Sequence, residues 1–348
     1  MKANNQLAIA VLAAALTACS GSGSSDRTAL SGAGATFPLP YYNVTFEGMA
    51  QKNPVDVSYG GIGSGGGVRS LKDGIVDFAA TDAFITDEEM KDMKPIIHIP
   101  TCMGAVVLAY NLDGVDSLNL TGKLIADIFA GRITKWNDKS IAEVNTHMTL
   151  PDKEILPVYR ADGSGTTFVF TDYLSKADRD WELTYGRGKT VNFPVGQAAK
   201  GNPGVAGIIA NTEGSIGYVG SEYAFAQGIK YASVRNPHGE VVRPDAASIS
   251  LAAQGEIPAD TRTTITNSDA EGAYPISCFT WIVVYADQNY SDRTMAQAKA
   301  TGELLQYMLS DEAQARAEAV HYAPLPKPVV EQSRKNLEAL NYGGHKLQ

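Results

Sequence analysis

The residues of this chain best suited to chemistry lie together in one stretch, Arg160 to Thr167. The stretch reads Arg-Ala-Asp-Gly-Ser-Gly-Thr-Thr, so it combines a cation with hydroxyl groups and two glycines. A planar guanidinium group suits an oxyanion, and hydroxyl groups donate hydrogen bonds to one. Asp162 is the exception, because it adds a negative charge to a set of residues that otherwise favours an anion.

The flanking sequence predicts that a strand and a helix position this stretch. An apolar run over 155–159 precedes it, and 168–174 follows with a helical pattern. The turn would therefore lie at a helix N-terminus, where unpaired backbone N–H groups and the positive end of the helix dipole favour an anion.

Two more turns share this composition, Gly34-Ala35-Thr36-Phe37 and Gly63-Ser64-Gly65, and each precedes a predicted helix. In open α/β sheets ligands bind beyond the carboxyl ends of the strands, where these turns are expected. One such turn is a weak signal, since many are purely structural. Three in one chain, one of them with an arginine, predict an anion site.

The composition limits the class of protein. The chain has 348 residues, enough for about two domains. Its 44% hydrophobic and 19% charged residues are typical of a soluble globular protein. A net charge of −9, without a cluster of Lys or Arg, argues against a nucleic-acid partner.

Patterns for enzymes and cofactors are poorly matched. The glycine-rich segment 60–67 lacks the Lys and Ser/Thr of a Walker loop, and its G-x-G-x-x-G spacing has no clear acidic ribose partner unless Asp77 or Asp82 serves. Neither Ser64 nor Ser164 lies in a G-x-S-x-G motif, and the five histidines are scattered. We therefore expect no catalytic residue, no metal and no cofactor.

The N-terminus predicts export. A basic start is followed by a short apolar segment, Leu7 to Leu16, which is too short to span a membrane and fits a signal-peptide core. Leu16-Thr17-Ala18-Cys19 resembles a bacterial lipobox. We therefore predict a lipoprotein signal peptide over 1–18, lipidation of Cys19, and a Gly/Ser tether over 19–28 that anchors the protein to a membrane of the cell envelope on its extracytoplasmic side. The alternative is an ordinary secretory signal with a chance cysteine.

Two cysteines remain after Cys19, namely Cys102 and Cys278. An exported protein meets an oxidising environment, so the two could form a disulfide. Both lie in apolar segments, so two buried free thiols are an equal alternative.

The order of predicted elements is that of an α/β protein. Strands and helices alternate from residue 30 to residue 100, including a helix over 42–51, and a long apolar strand over 105–110 begins a second unit. The pattern fits two α/β lobes, with the chain crossing between them near Thr101 and again near Cys278.

Four blocks of the sequence resemble the family of phosphate-binding proteins of the high-affinity bacterial phosphate ABC transporter. They occur in the family's order, and Tyr322-Ala323-Pro324-Leu325-Pro326 also resembles the family's C-terminal segment. The four blocks are Gly32–Pro38, Gly61–Gly66, Asp77–Ala83 and Arg160–Thr166.

The resemblance implies a two-lobed class II periplasmic-binding-protein fold, in which each lobe is a mainly parallel sheet flanked by helices and two strands form the hinge. We assign 29–103 and 279–348 to lobe I and 104–278 to lobe II. The ligand contacts implied for phosphate are Thr36, Phe37, Ser64, Asp82, Arg160, Asp162, Ser164, Gly165 and Thr166.

The two aspartates in this set have different expected roles. Phosphate near neutral pH carries at least one proton and sulfate carries none, so an ionised Asp82 can accept a hydrogen bond from phosphate but would repel sulfate. Asp162 is expected to pair with Arg160 and orient its guanidinium. The structural alternatives are a turn or helix-cap residue for Asp162 and a helix N-terminal residue for Asp82.

The sequence as a whole therefore predicts an extracytoplasmic receptor that binds inorganic phosphate between its lobes. The implied partners are the permease and ATPase of an ABC transporter, and the lipid attached to Cys19. The alternative is a surface phosphatase or adhesin built on the same fold.

Overall fold

The computed structural model describes residues 27–347, and all structural statements below refer to these residues. The predicted signal peptide (1–18), Cys19 and most of the predicted tether lie outside the described residues. Arg27 donates from Nη2 to the Ala50 carbonyl at 2.9 Å, and the first strand begins at Thr28. The last two residues of the predicted tether therefore belong to the folded part.

Strands and helices alternate along the described chain. The strands are β1 Thr28–Gly34, β2 Val55–Gly61, β3 Phe78–Thr81, β4 Ile96–Tyr110, β5 Asn119–Leu120, β6 Leu156–Arg160, β7 Gln197–Ala199, β8 Ser215–Gly220, β9 Lys230–Tyr231, β10 Ser233–Arg235, β11 Val241–Val242, β12 Ser277–Tyr285, β13 Asn341–Tyr342 and β14 His345–Lys346. The helices are α1 Leu39–Ala50, α2 Ser64–Lys72, α3 Asp87–Met90, α4 Gly122–Phe129, α5 Lys139–Glu143, α6 Gly165–Ala177, α7 Arg179–Thr184, α8 Gly201–Asn211, α9 Ser221–Ala226, α10 Ala246–Leu251, α11 Met295–Met308, α12 Asp311–Ala315 and α13 Lys327–Leu337, with a 3-10 turn over Glu318–Val320.

Lobe I is built on the strand order β2-β1-β3-β12-β4. Its outer strands are parallel, since β1 pairs in parallel with β2 and with β3 through the crossover helices α1 and α2. Strand β12 runs antiparallel to both β3 and β4. The sheet is therefore mixed, because the strand that returns from the other lobe runs opposite to the βαβ strands.

Lobe II continues from the same long strand in the order β4-β8-β6-β7. Strand β6 is parallel to β7 and β8, whereas β8 is antiparallel to β4. A small sheet of β11, β10 and β5 completes the lobe. In both lobes the parallel pairing expected from the sequence covers the outer strands, and the strands nearest the hinge are antiparallel.

Two strands form the hinge. Strand β4 has 15 residues and extends about 50 Å at about 3.3 Å per residue, so it belongs to both sheets. Residues 96–105 pair with β12 and residues 106–110 pair with β8. The strand predicted over 105–110 is thus the second half of a longer strand. Pro100 falls inside that strand and is accommodated opposite a register shift between Thr280 and Trp281.

The boundary between the lobes is less simple than the predicted ranges. Thr261 lies within the range assigned to lobe II, yet its hydroxyl donates to the His98 carbonyl at 3.1 Å and its carbonyl accepts from Trp281 Nε1 at 3.1 Å. Both partners lie in the part of β4 and β12 that forms the sheet of lobe I. Tertiary packing therefore brings this segment against the other lobe.

The helix over 42–51 begins earlier than the sequence predicted. It starts at Leu39, with Pro38 as the N-cap residue and Pro40 in the first turn, where a proline is tolerated because the first N–H groups of a helix have no partner within it. Its buried face includes Tyr41, Tyr42 and Phe46. These aromatic side chains attach the helix, and the turn before it, to the core of lobe I.

Cys102 and Cys278 are buried free thiols in the structure. They lie on the two hinge strands β4 and β12. The sequence left open whether these cysteines form a disulfide or remain free thiols, and in the structure they are free thiols. None of the helices described between residues 27 and 347 is long and apolar enough to cross a lipid bilayer.

Candidate functional site

The three predicted turns each connect a strand to a helix, and they meet between the lobes. Thr36 lies between β1 and α1, Ser64 is the first residue of α2, and Gly165 is the first residue of α6. Thr36 and Ser64 belong to lobe I and Gly165 to lobe II. The N-terminal ends of three helices therefore point their free backbone donors toward one cleft.

Arg160 and Asp162 form an ion pair inside the cleft. Arg160 donates from Nε to Asp162 Oδ1 at 2.8 Å and from Nη2 to Oδ2, and its side chain is 1% exposed. Asp162 Oδ1 also accepts from the Gly201 N–H at 2.9 Å. Burial raises the pKa of Asp162, but the hydrogen bonds and charge of Arg160 outweigh burial and leave that pKa below its ordinary value. Asp162 therefore stays ionised and fixes the guanidinium, as the sequence led us to expect.

Asn202 connects the hydroxyl groups of the two lobes. Its Nδ2 donates to Thr36 Oγ1 at 2.9 Å and to Thr166 Oγ1 at 3.1 Å, and its Oδ1 accepts from the Gly220 N–H at 3.0 Å. Thr166 Oγ1 also accepts from Arg160 Nη1 at 3.3 Å. Because both threonine oxygens accept here, their hydroxyl hydrogens remain available to donate to a ligand.

Ser64 joins the lobes directly. Its Oγ accepts from the Gly165 N–H at 3.1 Å, and it lies 3.5 Å from the Asp82 backbone nitrogen. A Cβ atom on Gly165 would lie 2.6 Å from Ser64 Oγ and 2.7 Å from the backbone nitrogen of Asp82. A glycine at position 165 is thus required for the approach of the lobes, and the cleft is closed in this structure.

Asp82 is the acidic residue of lobe I in the cleft, and it is 2% exposed. Its Oδ1 accepts from Thr280 Oγ1 at 2.8 Å, whereas its buried Oδ2 has no hydrogen-bond partner among residues 27–347. Burial raises the pKa of Asp82 to about 7, although the Thr280 hydrogen bond and the Arg160 charge both act to lower it. One carboxylate oxygen is therefore held by the protein and the other is free to meet a ligand.

The last two predicted site residues, Ser164 and Phe37, lie at the edge of the cleft and are held there by hydrogen bonds within the protein. Ser164 is buried at the N-cap of α6, where its Oγ accepts from the Thr167 N–H at 3.0 Å. Phe37 is fully buried, and its carbonyl accepts from the Tyr322 hydroxyl. The structure therefore brings all nine predicted residues into or beside one cleft, with the phenyl ring of Phe37 in the core.

Sequence reasoning missed three residues of this arrangement. Asn202 and Thr280 are described above, and Tyr223 donates its hydroxyl to the Thr36 carbonyl. Asn202 follows a glycine at the start of a helix, so the pattern that identified the other turns applied to it as well. Thr280 and Tyr223 lie inside a strand and a helix, where the local sequence gives no signal.

Two lobes joined by two crossing strands, with a cleft of converging hydrogen-bond donors between them, define a solute-binding protein of the periplasmic type. The profile of the PBP superfamily domain matches residues 21–312. The chain belongs to the PBP superfamily and, within it, to the family of the phosphate-binding protein PstS.

Curated relatives carry this assignment. The chain is 37% identical over 308 residues to the phosphate-binding protein PstS of Xylella fastidiosa, a match that covers 87% of this chain and 83% of that protein. It is 35% identical over 312 residues to PstS of Haemophilus influenzae, covering 88% of this chain and 91% of that protein. Membership of the PstS family confirms the resemblance to phosphate-binding proteins that the sequence motifs indicated. It also confirms the prediction that the protein is a binding protein and not an enzyme.

Solved structures confirm the two-lobed fold. The phosphate binding protein from Stenotrophomonas maltophilia superposes with a TM-score of 0.68 at 20% identity, covering 88% of this chain and 93% of that one. An ABC-type phosphate transport receptor from Vibrio cholerae gives a TM-score of 0.57 at 20% identity, covering 85% of this chain and 100% of that one.

Proposed function

We propose that this protein is an extracytoplasmic receptor for inorganic phosphate, which it encloses between its lobes and delivers to the permease of an ABC-type importer. The curated relatives are named as phosphate-binding proteins, and the chain covers most of their length. Transport systems of this kind contain a permease and an ATPase, and we propose that the closed lobes present their shared surface to the permease. No bond of the ligand changes in this function.

The observation that carries the proposal is the unpartnered Oδ2 of Asp82 in a cleft whose other groups donate hydrogen bonds. A buried carboxylate oxygen without a donor is costly, so its presence indicates a ligand that carries a proton. Phosphate carries one at neutral pH and can donate it to Oδ2, whereas sulfate cannot.

The remaining groups suit the unprotonated oxygens of phosphate. We propose that the hydroxyls of Thr36, Ser64, Ser164 and Thr166 and the guanidinium of Arg160 donate to them. The backbone N–H groups of Phe37 and Thr166 complete the set from the helix N-termini, whereas the Gly165 N–H acts indirectly by holding Ser64 Oγ. Asp162 does not contact the ligand in this proposal and acts by holding Arg160.

Titration calorimetry with phosphate, sulfate, arsenate and a phosphonate tests the proposal directly. We expect phosphate to bind, arsenate to compete because it is protonated at similar pH, and sulfate to bind far more weakly at pH 8. The substitution Asp82→Asn should reduce the preference for phosphate over sulfate, because an amide can donate to either anion. An absence of phosphate binding would refute the function, and an unchanged preference in Asp82→Asn would refute the role of Asp82.

A surface phosphatase or adhesin on the same fold was the alternative. The curated relatives from Xylella fastidiosa and Haemophilus influenzae are named for phosphate binding, and no group of three or more His, Cys, Asp or Glu side chains among residues 27–347 is arranged to hold a metal ion. A phosphomonoester turnover assay run beside the calorimetry separates the two functions, since a receptor should give no turnover.

Attachment to the membrane through lipid on Cys19 is the second part of the proposal. It rests on the lipobox-like sequence before Cys19 and the Gly/Ser-rich residues after it. Mass spectrometry of the mature N-terminal peptide should detect an acylated cysteine. Cys19→Ser should release the protein from the membrane fraction, whereas Cys102→Ser should leave it there.

A further inference from the structure

We propose that Thr280 is a positioning residue that selects which oxygen of Asp82 meets the ligand, and so sets the pH range over which sulfate is excluded. The inference rests on the proposed function, because it concerns how the phosphate site rejects an unprotonated anion. Thr280 lies outside the helix N-terminal turns, and its own side chain need not touch the ligand.

The contact between the two residues is short and fully buried. Thr280 Oγ1 donates to Asp82 Oδ1 at 2.8 Å, and Thr280 is 0% exposed. Asp82 Oδ2 has no partner among the described residues. Because a protein hydroxyl is fixed on Oδ1, Oδ2 is the carboxylate oxygen left without a protein donor and therefore the one that a protonated ligand meets.

The hinge strands explain why these residues meet. Trp281 on β12 pairs with Thr81, the last residue of β3, in antiparallel register. Continuing that register by one residue brings Thr280 opposite Asp82, which follows the strand. The register shift between Thr280 and Trp281 falls at this point. The Thr280 carbonyl accepts from Thr101 Oγ1 at 3.2 Å, which holds the backbone in place.

Several titratable or charged groups face Asp82, but only Arg160 among them acts on its ionisation. Besides Thr280, the titratable or charged groups that face Asp82 are Arg160 on β6, Tyr42 on α1, Tyr59 on β2, Cys102 on β4, Cys278 on β12, and Glu222 and Tyr223 on α9. Burial raises the pKa of each tyrosine, cysteine and glutamate in this set, and so favours their uncharged forms. Burial, the Thr280 hydrogen bond and the Arg160 charge therefore decide whether Asp82 is ionised.

The consequence concerns sulfate. When Asp82 is ionised, its free oxygen repels sulfate and accepts from phosphate. When Asp82 is protonated, it can donate to sulfate, and the distinction between the anions weakens. Removal of the Thr280 donor withdraws a hydrogen bond to the ionised form, so Asp82 should hold its proton to higher pH.

The test is competition of sulfate against phosphate on the full-length protein between pH 5.5 and 8.5. For each variant it measures the pH at which sulfate competition has fallen by half. We expect Thr280→Val, which keeps the shape and removes the hydroxyl, to move that midpoint upward by about one pH unit. Thr280→Ser should restore the wild-type midpoint. Thr45→Val removes a buried hydroxyl that donates to the Tyr41 carbonyl within α1, away from the cleft, and should leave the midpoint unchanged.

The outcomes separate the two proposals. If the wild type fails to bind phosphate, the proposed function is wrong. If it binds phosphate but sulfate competition does not change with pH, or if Thr280→Val has the wild-type midpoint, the role of Thr280 is wrong and the function stands. Should Thr280→Val fail to fold, Thr280→Ala removes the same hydroxyl with a smaller side chain and must give the same upward shift.

Discussion

Asn202 holds Thr36 from the opposite lobe, with its Nδ2 at 2.9 Å and its backbone nitrogen at 3.1 Å from the threonine Oγ1. The same amide reaches Thr166 in its own lobe. One side chain thus aligns a hydroxyl from each side of the cleft. Both hydroxyls then accept from Asn202 and direct their hydrogens elsewhere, which makes the closed cleft a set of donors.

Replacing Asn202 should weaken phosphate binding. Asn202→Asp keeps the shape but converts the donor into an acceptor, so the hydroxyls of Thr36 and Thr166 would donate to it instead of to phosphate. We expect the dissociation constant measured by calorimetry to rise at least about tenfold, corresponding to about 1.4 kcal/mol. Asn211→Asp is the matched control, because Asn211 is exposed at the end of the same helix and donates to Gly207. Equal affinity of both variants would contradict the bridging role.

Closure should depend on the absence of a side chain at Gly165. A Cβ atom there would lie 2.7 Å from the Asp82 backbone nitrogen, so Gly165→Ala has to hold the lobes apart. We expect at least about a tenfold loss of phosphate affinity, and a larger radius of gyration in small-angle scattering with saturating phosphate. Gly163→Ala, two residues earlier, places its Cβ at an ordinary 3.4 Å from Gly65 and should bind and close like the wild type. Closure of Gly165→Ala to wild-type dimensions would refute the steric argument.

Selectivity should increase with pH. Because the pKa of Asp82 is raised to about 7, its protonated fraction falls as the pH rises through neutrality. Sulfate affinity should therefore decline between pH 6 and pH 8, by at most about tenfold per pH unit for a single proton. Calorimetric titration with sulfate at several pH values measures this decline. In Asp82→Asn the decline should disappear, and its persistence there would assign the pH dependence to another group.

Glu222 should destabilise the folded protein at high pH. It is 2% exposed, and neither of its carboxylate oxygens has a hydrogen-bond partner in the described part of the chain. Burial raises the pKa of Glu222 well above its ordinary value. The unfolded chain releases this proton at an ordinary pKa of about 4.3, so the cost to the folded state is absent at low pH and grows as the pH rises toward the folded pKa, by about 1.4 kcal/mol for each unit of pKa difference.

The substitution Glu222→Gln removes this titration. The free energy of unfolding of the variant, minus that of the wild type, should be larger at pH 8 than at pH 4, as measured by denaturant unfolding at both values. Glu256→Gln changes an exposed carboxyl in the same way and should give the same difference at both pH values. A pH-independent difference for Glu222→Gln would mean that folding does not raise the pKa of Glu222.

The sequence by itself determined the local chemistry of the site. The turns around Thr36, Ser64 and Arg160–Thr166 could be predicted because each combines glycine with hydroxyl residues between an apolar strand and a helix. The structure places all of them at strand-to-helix turns. The pairing of Arg160 with Asp162 was also predictable, since two residues on one turn can meet without any long-range contact.

Tertiary structure decided which distant groups complete the site. Thr280 reaches Asp82 only through the register of β12 against β3, and Asn202 reaches Thr36 only when the lobes close. Strand β4 was predicted at less than half its length, because its continuity depends on two different pairing partners and on the register shift that accommodates Pro100. Local propensity describes a turn, but register and lobe closure are set by pairing between residues far apart in the chain. The sequence therefore specified the donors of the cleft, and the fold specified which oxygen of Asp82 is left free among them.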